Sequence, residues 1–119
     1  GTFVRNNGTL RAVLDRYGKD THDIWKSILA NGGSVHHLDF MTDHERQVFR
    51  TAREINQFAI VRQAVQRQQW VDQAQSVNLF FGANSDPKYI HDVHIEAWQT
   101  GLKTLYYLRS EGVLSGDLA

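Results

Sequence analysis

The chain has 119 residues and no net formal charge, because thirteen Lys and Arg residues balance thirteen Asp and Glu residues. This length suits one domain or a part of one, and the neutral charge argues against general attraction to nucleic acid or to an anionic membrane. The sequence has no cysteine, which excludes a disulfide, a thiolate metal site and a thiol nucleophile within it. No apolar run approaches the roughly 20 residues that span a bilayer. We therefore expect a soluble protein without a membrane segment; a cytoplasmic location is a further expectation that these observations do not decide.

The first half of the chain predicts short amphipathic helices. Apolar residues at helical spacing indicate a first helix that ends at Gly18, where positive φ is available without strain. A second helix is expected to begin at Thr21. Thr42 and Glu45 fit a capping box, which predicts a third helix that continues through Ala52.

The second half predicts a strand, a helix and a second strand. A helix is expected to begin after Asn56, and the alternating pattern over 75–81 indicates a strand. A further helix is predicted over 87–102, followed by a short strand over 104–108 that is rich in β-formers. A strand, a helical crossover and another strand favour a parallel pair. The predicted fold class is therefore α/β and mainly helical, with two strands that need others beside them.

Three side chains on one predicted helix could suggest a metal site. His91 and His94 have a His-x-x-His spacing, and Glu96 follows on the same helix. The sequence identifies no third ligand near the two histidines, and His94 shares the side of the apolar stripe. Ordinary packing is therefore favoured, and no metal or cofactor is expected to bind to this chain.

A nucleic-acid-binding face is the main alternative reading. Arginine beside aromatic and amide side chains can bind phosphates and stack on bases, and such residues cluster near the end of one helix: Arg62, Gln66, Arg67, Gln68, Gln69 and Trp70. Helices over 42–54 and 57–67 also permit a helix-turn-helix interpretation. The neutral charge favours a solvated helix face instead. A free-standing helical interaction or nucleic-acid-binding module stays as the alternative.

Tyr106 and Tyr107 are adjacent in the predicted last strand. In a regular strand the two side chains would point to opposite faces, so ordinary core and surface positions are the simplest reading. Two neighbouring phenols can also stack or share a hydrogen-bonded path, and a tyrosine can lose an electron and a proton together. The pair is therefore a candidate redox site, although composition alone does not select it.

Three segments together carry a family resemblance: residues 70–80 (WVDQAQSVNLF), 94–98 (HIEAW) and 101–109 (GLKTLYYLR). In this order and spacing they resemble the C-terminal part of the large (α, catalytic) subunit of class I ribonucleotide reductase. The resemblance covers most of positions 40–109 and extends more loosely over the first forty residues. The motifs over 70–80 and 101–109 occur in the family's order and at its spacing, and such a match is far less common by chance than a match to either motif alone.

The resemblance implies that residues 1–119 form the C-terminal part of the barrel domain of that subunit, incomplete on its own. The two strands would be the last strands of the family's ten-stranded α/β barrel. Tyr106 and Tyr107 would be the catalytic residues of this part, at the end of a radical-transfer path from the small (β) subunit. Tyr107 would face that subunit, whose C-terminal tail would dock near the helix over 87–102. Tyr106 would oxidise a cysteine to a thiyl radical, which abstracts the ribose 3′ hydrogen so that the 2′ hydroxyl can leave.

The same resemblance implies several partners. With no cysteine, these residues cannot turn over substrate alone, so we expect a cut piece or one half of a split subunit that acts with the remainder of the large subunit. Ribonucleotide substrate and nucleotide effectors would bind to that remainder. A dinuclear metal or tyrosyl radical is expected in the small subunit, with thioredoxin or glutaredoxin as the reductant. A structural fragment that has lost radical transfer is a third possibility.

Overall fold

The computed structural model describes residues 4–110. The chain divides into two compact units, Gly1–Thr51 and Ala52–Ala119, which are called the first and second units below. Each unit has its own cluster of buried apolar side chains. Within residues 4–110, every helix is too short or too polar to cross a membrane.

The first unit contains three helices, α1 (Gly8–Arg16), α2 (His22–Ala30) and α3 (Asp43–Val48). Each helix begins at a polar residue whose side chain accepts a backbone N–H of the first turn, which satisfies a donor that the helix itself cannot: Asn7, Thr21 and Thr42. The helices and the loop after α2 supply the buried residues of this unit: Leu10, Leu14, Ile28, Val35, Leu38 and Met41. The predicted starts of α2 and α3 are therefore confirmed.

The capping box at α3 is part of a larger polar cluster. Glu45 accepts the Thr42 N–H at 3.0 Å and the Tyr17 hydroxyl at 2.5 Å, and the Arg16 guanidinium lies 3.2 Å from the same carboxylate. Mainly because the Tyr17 hydroxyl donates to it, the Glu45 carboxyl has a pKa below its ordinary value of 4.5. The same hydrogen bond raises the pKa of Tyr17 above 10.0.

The prediction that the third helix continues through Ala52 is wrong, because α3 ends at Val48. The next residue, Phe49, leaves the helical region at φ −97° and ψ 25° and packs against the buried cluster of the first unit. Burial of the Phe49 ring outweighs continuation of a helix whose next turn would be exposed.

The second unit contains α4 (Gln57–Gln68), β1 (Asn78–Phe81), α5 (Pro87–Gln99) and β2 (Tyr107–Ser110). The two strands are parallel, with Asn78 opposite Tyr107 and Phe81 opposite Ser110. The structure thus confirms the predicted parallel pair with a helical crossover, and the α/β class with it.

One face of β1 forms the centre of the second unit. Leu79 and Phe81 are buried and alternate with the half-buried Asn78 and Phe80, as expected where one face of a strand packs against helices. The buried face contacts residues from α4 and α5: Val61, Ala64, Val93 and Ala97. In contrast, all four residues of β2 are exposed.

Gln57 is buried and joins three elements of this unit. Its Nε2 donates to the Ala52 and Ile55 carbonyl oxygens at 2.9 and 2.8 Å, and its Oε1 accepts the Phe80 N–H at 2.9 Å. Its own N–H donates to the Tyr89 hydroxyl at 2.7 Å. The start of α4 is therefore fixed to β1 and α5 by a buried polar group whose hydrogen bonds are satisfied, as burial requires.

Three predicted boundaries are corrected by the structure. β1 begins at Asn78 and β2 at Tyr107, later than the alternation over 75–81 and the β-formers over 104–108 predict. α5 ends at Gln99 rather than at 102, because Gly101 takes a φ of 80° and turns the chain out of the helix. Segments 75–77 and 102–106 instead satisfy part of their backbone with side chains, as described below.

Candidate functional site

Tyr106 and Tyr107 form an aromatic pair at the start of β2. Their ring centroids lie 4.3 Å apart, with the ring planes at 62°. Adjacent residues in a regular strand would point to opposite faces, but Tyr106 precedes β2 and its N–H donates to the Val77 carbonyl oxygen at 2.8 Å. This bond continues the register of the two strands by one residue. The two rings nevertheless lie in edge contact, so the expectation of opposite faces is wrong.

Both phenols are accessible. Tyr106 is 60% exposed and Tyr107 is 52% exposed. The Arg109 guanidinium lies 5.4 Å from the centroid of the Tyr107 ring, since residues two apart in a strand share a face. A cation near the ring disfavours a positively charged radical, which favours loss of the phenolic proton together with the electron.

The neighbouring strand offers a hydrogen-bond acceptor near the pair. Asn78 lies opposite Tyr107 in the register, and its Oδ1 is buried without a hydrogen-bond donor among residues 4–110. Its polar side chain interrupts the apolar residues of β1, which is the one sequence signal that could have identified it. A carbonyl oxygen beside strand position 107 can therefore accept a hydrogen bond.

Two glutamines that support the tyrosine pair were not singled out as site residues from the sequence. Gln68 bonds the backbone of the connection between α5 and β2, with Nε2 2.6 Å from the Gly101 oxygen and Oε1 2.7 Å from the Lys103 nitrogen. The Gln75 carbonyl oxygen accepts the Thr104 hydroxyl at 3.4 Å. Helical spacing was the sequence signal that could have found Gln68: it follows the buried Val61 and Ala64 by seven and four residues and is half-buried, whereas Gln66 is exposed.

The two arginines of the nucleic-acid-binding alternative have partners within the second unit, while Trp70 is 82% exposed. Arg62 pairs with Glu96 at 3.3 Å and lies over the Phe58 ring, and Arg67 donates to the Gln75 side chain at 3.1 Å. α3 ends at Val48 and α4 begins at Gln57, so the connection is longer than the roughly three or four residues of a helix-turn-helix. The structure does not support that alternative.

Two of the three residues weighed as metal ligands, His94 and Glu96, have other partners. His94 Nδ1 lies 2.7 Å from the Ile90 carbonyl oxygen, and its ring stacks on Phe81, while Glu96 is held by Arg62. In the part of the chain that the structure describes, no three His, Asp or Glu side chains come together to hold a metal ion.

Comparison with known proteins identifies the family. A family model described as "Ribonucleotide reductase, barrel domain" matches residues 1–108. The chain is 41% identical to the ribonucleoside-diphosphate reductase large subunit of Invertebrate iridescent virus 6, over 98% of this chain and 13% of that protein. It is 36% identical to the ribonucleoside-diphosphate reductase subunit alpha of Chlamydia trachomatis, over 92% of this chain and 10% of that protein.

A solved structure gives the same answer. The class Id ribonucleotide reductase alpha subunit of Actinobacillus ureae superposes with a TM-score of 0.85 at 38% identity, over 96% of this chain and 22% of that one. The chain belongs to the ribonucleotide reductase barrel domain family. It spans 13–20% of the length of the three curated viral relatives it matches.

These comparisons confirm the resemblance to the large-subunit family that the sequence motifs carry. The matching family model is described as a barrel domain, which confirms that part of the prediction. The ten-stranded arrangement stays a prediction. The assignment of Tyr106 and Tyr107 as catalytic residues stays a prediction, as does the treatment of residues 1–119 as one incomplete domain.

Proposed function

We propose that this chain takes part in the radical-dependent reduction of ribonucleotides to deoxyribonucleotides, as one portion of a ribonucleoside-diphosphate reductase large subunit of class I. Its contribution is the terminal tyrosine pair of the radical path. The observation that carries the proposal is the edge contact between the accessible rings of Tyr106 and Tyr107, 4.3 Å apart at their centroids. Membership of the barrel domain family supports the class of reaction.

The two phenols have different roles in this proposal. Tyr107 faces the small subunit and loses an electron and a proton to the incoming radical. Tyr106 then gives an electron and a proton to Tyr107, which regenerates the Tyr107 phenol. The Tyr106 radical takes a hydrogen atom from a cysteine thiol, so Tyr106 regains its phenol and the sulfur becomes a thiyl radical. That thiyl radical removes the ribose 3′ hydrogen, and the 2′ hydroxyl leaves.

The geometry suits this exchange. Because the rings are in contact, an electron vacancy can move between them without a bound mediator. Both phenols are also exposed, so each can contact a further redox partner. Arg109 near the Tyr107 ring disfavours a cation radical there. Electron and proton are therefore expected to move together.

The open sheet is the second support for the proposal. A parallel pair whose β2 residues are all exposed is marginal by itself, and exposed strand edges pair with further strands. In this proposal the remainder of the large subunit pairs with the exposed strand edge, and it also supplies the cysteine that this sequence lacks. Substrate and nucleotide effectors bind to that remainder in this proposal.

The other partners follow from the same proposal. A radical-generating small subunit with a dinuclear metal or tyrosyl radical delivers the hole, and thioredoxin or glutaredoxin restores the reduced thiols. No residue of this chain is assigned to hold the metal. The proposed setting is the cytoplasm.

The test is a phenol deletion in the assembled enzyme. Tyr106→Phe and Tyr107→Phe each keep the ring and its packing but remove the group that can lose a proton with an electron. We expect deoxyribonucleotide formation to be abolished in both variants, with assembly of the subunits unchanged by analytical ultracentrifugation. Tyr17→Phe is the matched control, since Tyr17 bonds to Glu45 in the first unit, and its activity should stay at the parent level.

Two outcomes would contradict the proposal. Full activity in both phenylalanine variants would remove the relay and leave a structural fragment that has lost radical transfer. A chain that folds cooperatively as a monomer by itself and binds nucleic acid in a salt-dependent manner would favour the free-standing module instead.

A further inference from the structure

The connection between α5 and β2 leads directly into the tyrosine pair. Residues 102–106 belong to no helix or strand, yet they determine where Tyr106 lies. Each end is fixed by a backbone hydrogen bond: the Leu102 N–H donates to the Ala97 oxygen at 3.0 Å, and the Tyr106 N–H donates to the Val77 oxygen at 2.8 Å. Between these two bonds, the hydrogen bonds of the connection to the rest of the unit involve side chains.

The carboxamide of Gln68, at the end of α4, makes two hydrogen bonds to the backbone at the start of the connection. Its Nε2 donates to the Gly101 oxygen at 2.6 Å, and its Oε1 accepts the Lys103 N–H at 2.7 Å. A neighbouring strand would offer one donor and one acceptor to a stretch of backbone in the same way. One side chain thus replaces a strand partner where the sheet has not yet begun.

The other tethers of this connection are longer. The Thr104 hydroxyl donates to the Gln75 carbonyl oxygen at 3.4 Å, and the Lys103 ammonium donates to the Asp72 carbonyl oxygen at 3.3 Å. Hydrogen bonds at these lengths are weaker than those near 2.7 Å. Leu102 and Leu105 also pack against the buried cluster of the second unit, and among the side-chain hydrogen bonds to this connection those of Gln68 are the shortest.

We infer that Gln68 is a positioning residue for Tyr106, fixing the connection so that the phenol lies where it can exchange with its redox neighbours. This inference rests on the proposed function of the tyrosine pair. Both hydrogen bonds of Gln68 are to the backbone at Gly101 and Lys103, so in this inference it acts through that backbone. Misplacement of a reacting group by about 1 Å can cost on the order of a hundredfold in rate.

The experiment is Gln68→Leu in the assembled reductase. Leucine approximates the size of glutamine but can make neither hydrogen bond. We expect kcat for deoxyribonucleotide formation to fall by at least about tenfold, with KM for the nucleotide unchanged because the substrate binds to another part of the subunit. Hydrogen exchange of the Lys103 amide should become faster, since it loses its acceptor.

Two controls separate positioning from general stability. Gln66→Leu makes the same chemical change at an exposed glutamine two residues earlier on α4, and kcat should not change. Val61→Ala removes buried volume from the same helix but keeps the Gln68 carboxamide. It should lower the free energy of unfolding while kcat per folded molecule is retained.

Each outcome decides between the two proposals. If Tyr106→Phe is inactive but Gln68→Leu keeps full kcat, the positioning role is wrong and the relay stands. If kcat per folded molecule falls as far in Val61→Ala as in Gln68→Leu, the effect is one of stability and the inference is again wrong. If Tyr106→Phe is fully active, the proposed function itself fails, whatever Gln68→Leu does.

Discussion

The two units of the chain are stabilised in different ways. The first unit has three short helices, each capped by a polar side chain, around six buried apolar residues. The second unit is built around β1, whose buried face contacts α4 and α5, while β2 is exposed along its length. The buried residues of the first unit come from helices and a loop, whereas in the second unit one strand has a buried face and its partner strand is exposed.

This difference shows where function can reside. A candidate site needs groups that are accessible and still held in place. The tyrosine pair meets both conditions, because its phenols are exposed while the Val77 oxygen and Gln68 hold the backbone that leads into it. Substitutions in each unit can test whether the contrast in stabilisation is real.

Core truncation should have the largest effect. Phe81 is 1% exposed and its ring contacts both Tyr89 and His94, so Phe81→Ala should cost about 3–5 kcal/mol. Leu14 is fully buried in the first unit, and Leu14→Ala should cost about 2–5 kcal/mol. Hydrogen exchange resolved along the assembled subunit should report each loss mainly within its own unit.

Leu29→Ala is the control for these truncations. Leu29 is 60% exposed, and a surface change of this kind should stay within about 0.5 kcal/mol. Loss of protection in both units after either core truncation would show that the two do not unfold separately.

Removal of a helix cap should have an intermediate effect. Thr42→Ala removes the oxygen that accepts the Glu45 N–H at 3.2 Å and should cost about 1 kcal/mol, confined to α3. Asn56→Ala should cost a similar amount at α4, where Asn56 accepts the Phe58 N–H. Amide exchange in the first turn of each helix is the measurement, and Thr42→Ser should restore protection at α3.

The smallest effect is a pH dependence of the first unit. The Tyr17 hydroxyl holds the pKa of Glu45 below 4.5 in the folded chain, so the unfolded state binds the proton more readily. The stabilisation is therefore present above pH 4.5 and is lost as the pH falls through the lowered value. Tyr17 has a raised pKa, so the same bond is also lost when its phenol ionises above pH 10.0.

Unfolding transitions measured against pH will check this, with Tyr17→Phe as the comparison. The parent chain should lose more stability than this variant on acidification below pH 4.5. An identical acid response in the two chains would show that the hydrogen bond between Tyr17 and Glu45 does not contribute.

Much of the fold can be predicted from local chemistry. Thr21, Thr42, Asn56 and Asp86 each accept a backbone N–H at the start of a helix, as their residue types predict. The parallel pair follows from the length of the crossover. The end of α3 could not be predicted, because burial of Phe49 depends on residues distant in sequence.

The candidate site is less evident from the sequence. The motif around Tyr106 and Tyr107 identifies the pair through resemblance, but strand periodicity alone predicts opposite faces. Their contact depends on the side-chain conformations of the two tyrosines, which strand periodicity does not specify. The hydrogen-bond partners of Gln68 cannot be predicted from the sequence either, because they depend on which backbone groups lie near the end of α4.

The register of the two parallel strands has a consequence for how this sequence can change in length. Asn78 opposite Tyr107 fixes the strands, so an extra residue in the turn over 82–85 can be absorbed at the surface. An extra residue between Gly101 and Tyr106 cannot, because side chains alternate along a strand and a shift of one residue turns them to the other face. Insertions and deletions in related sequences should therefore collect before α5 and avoid the stretch after it.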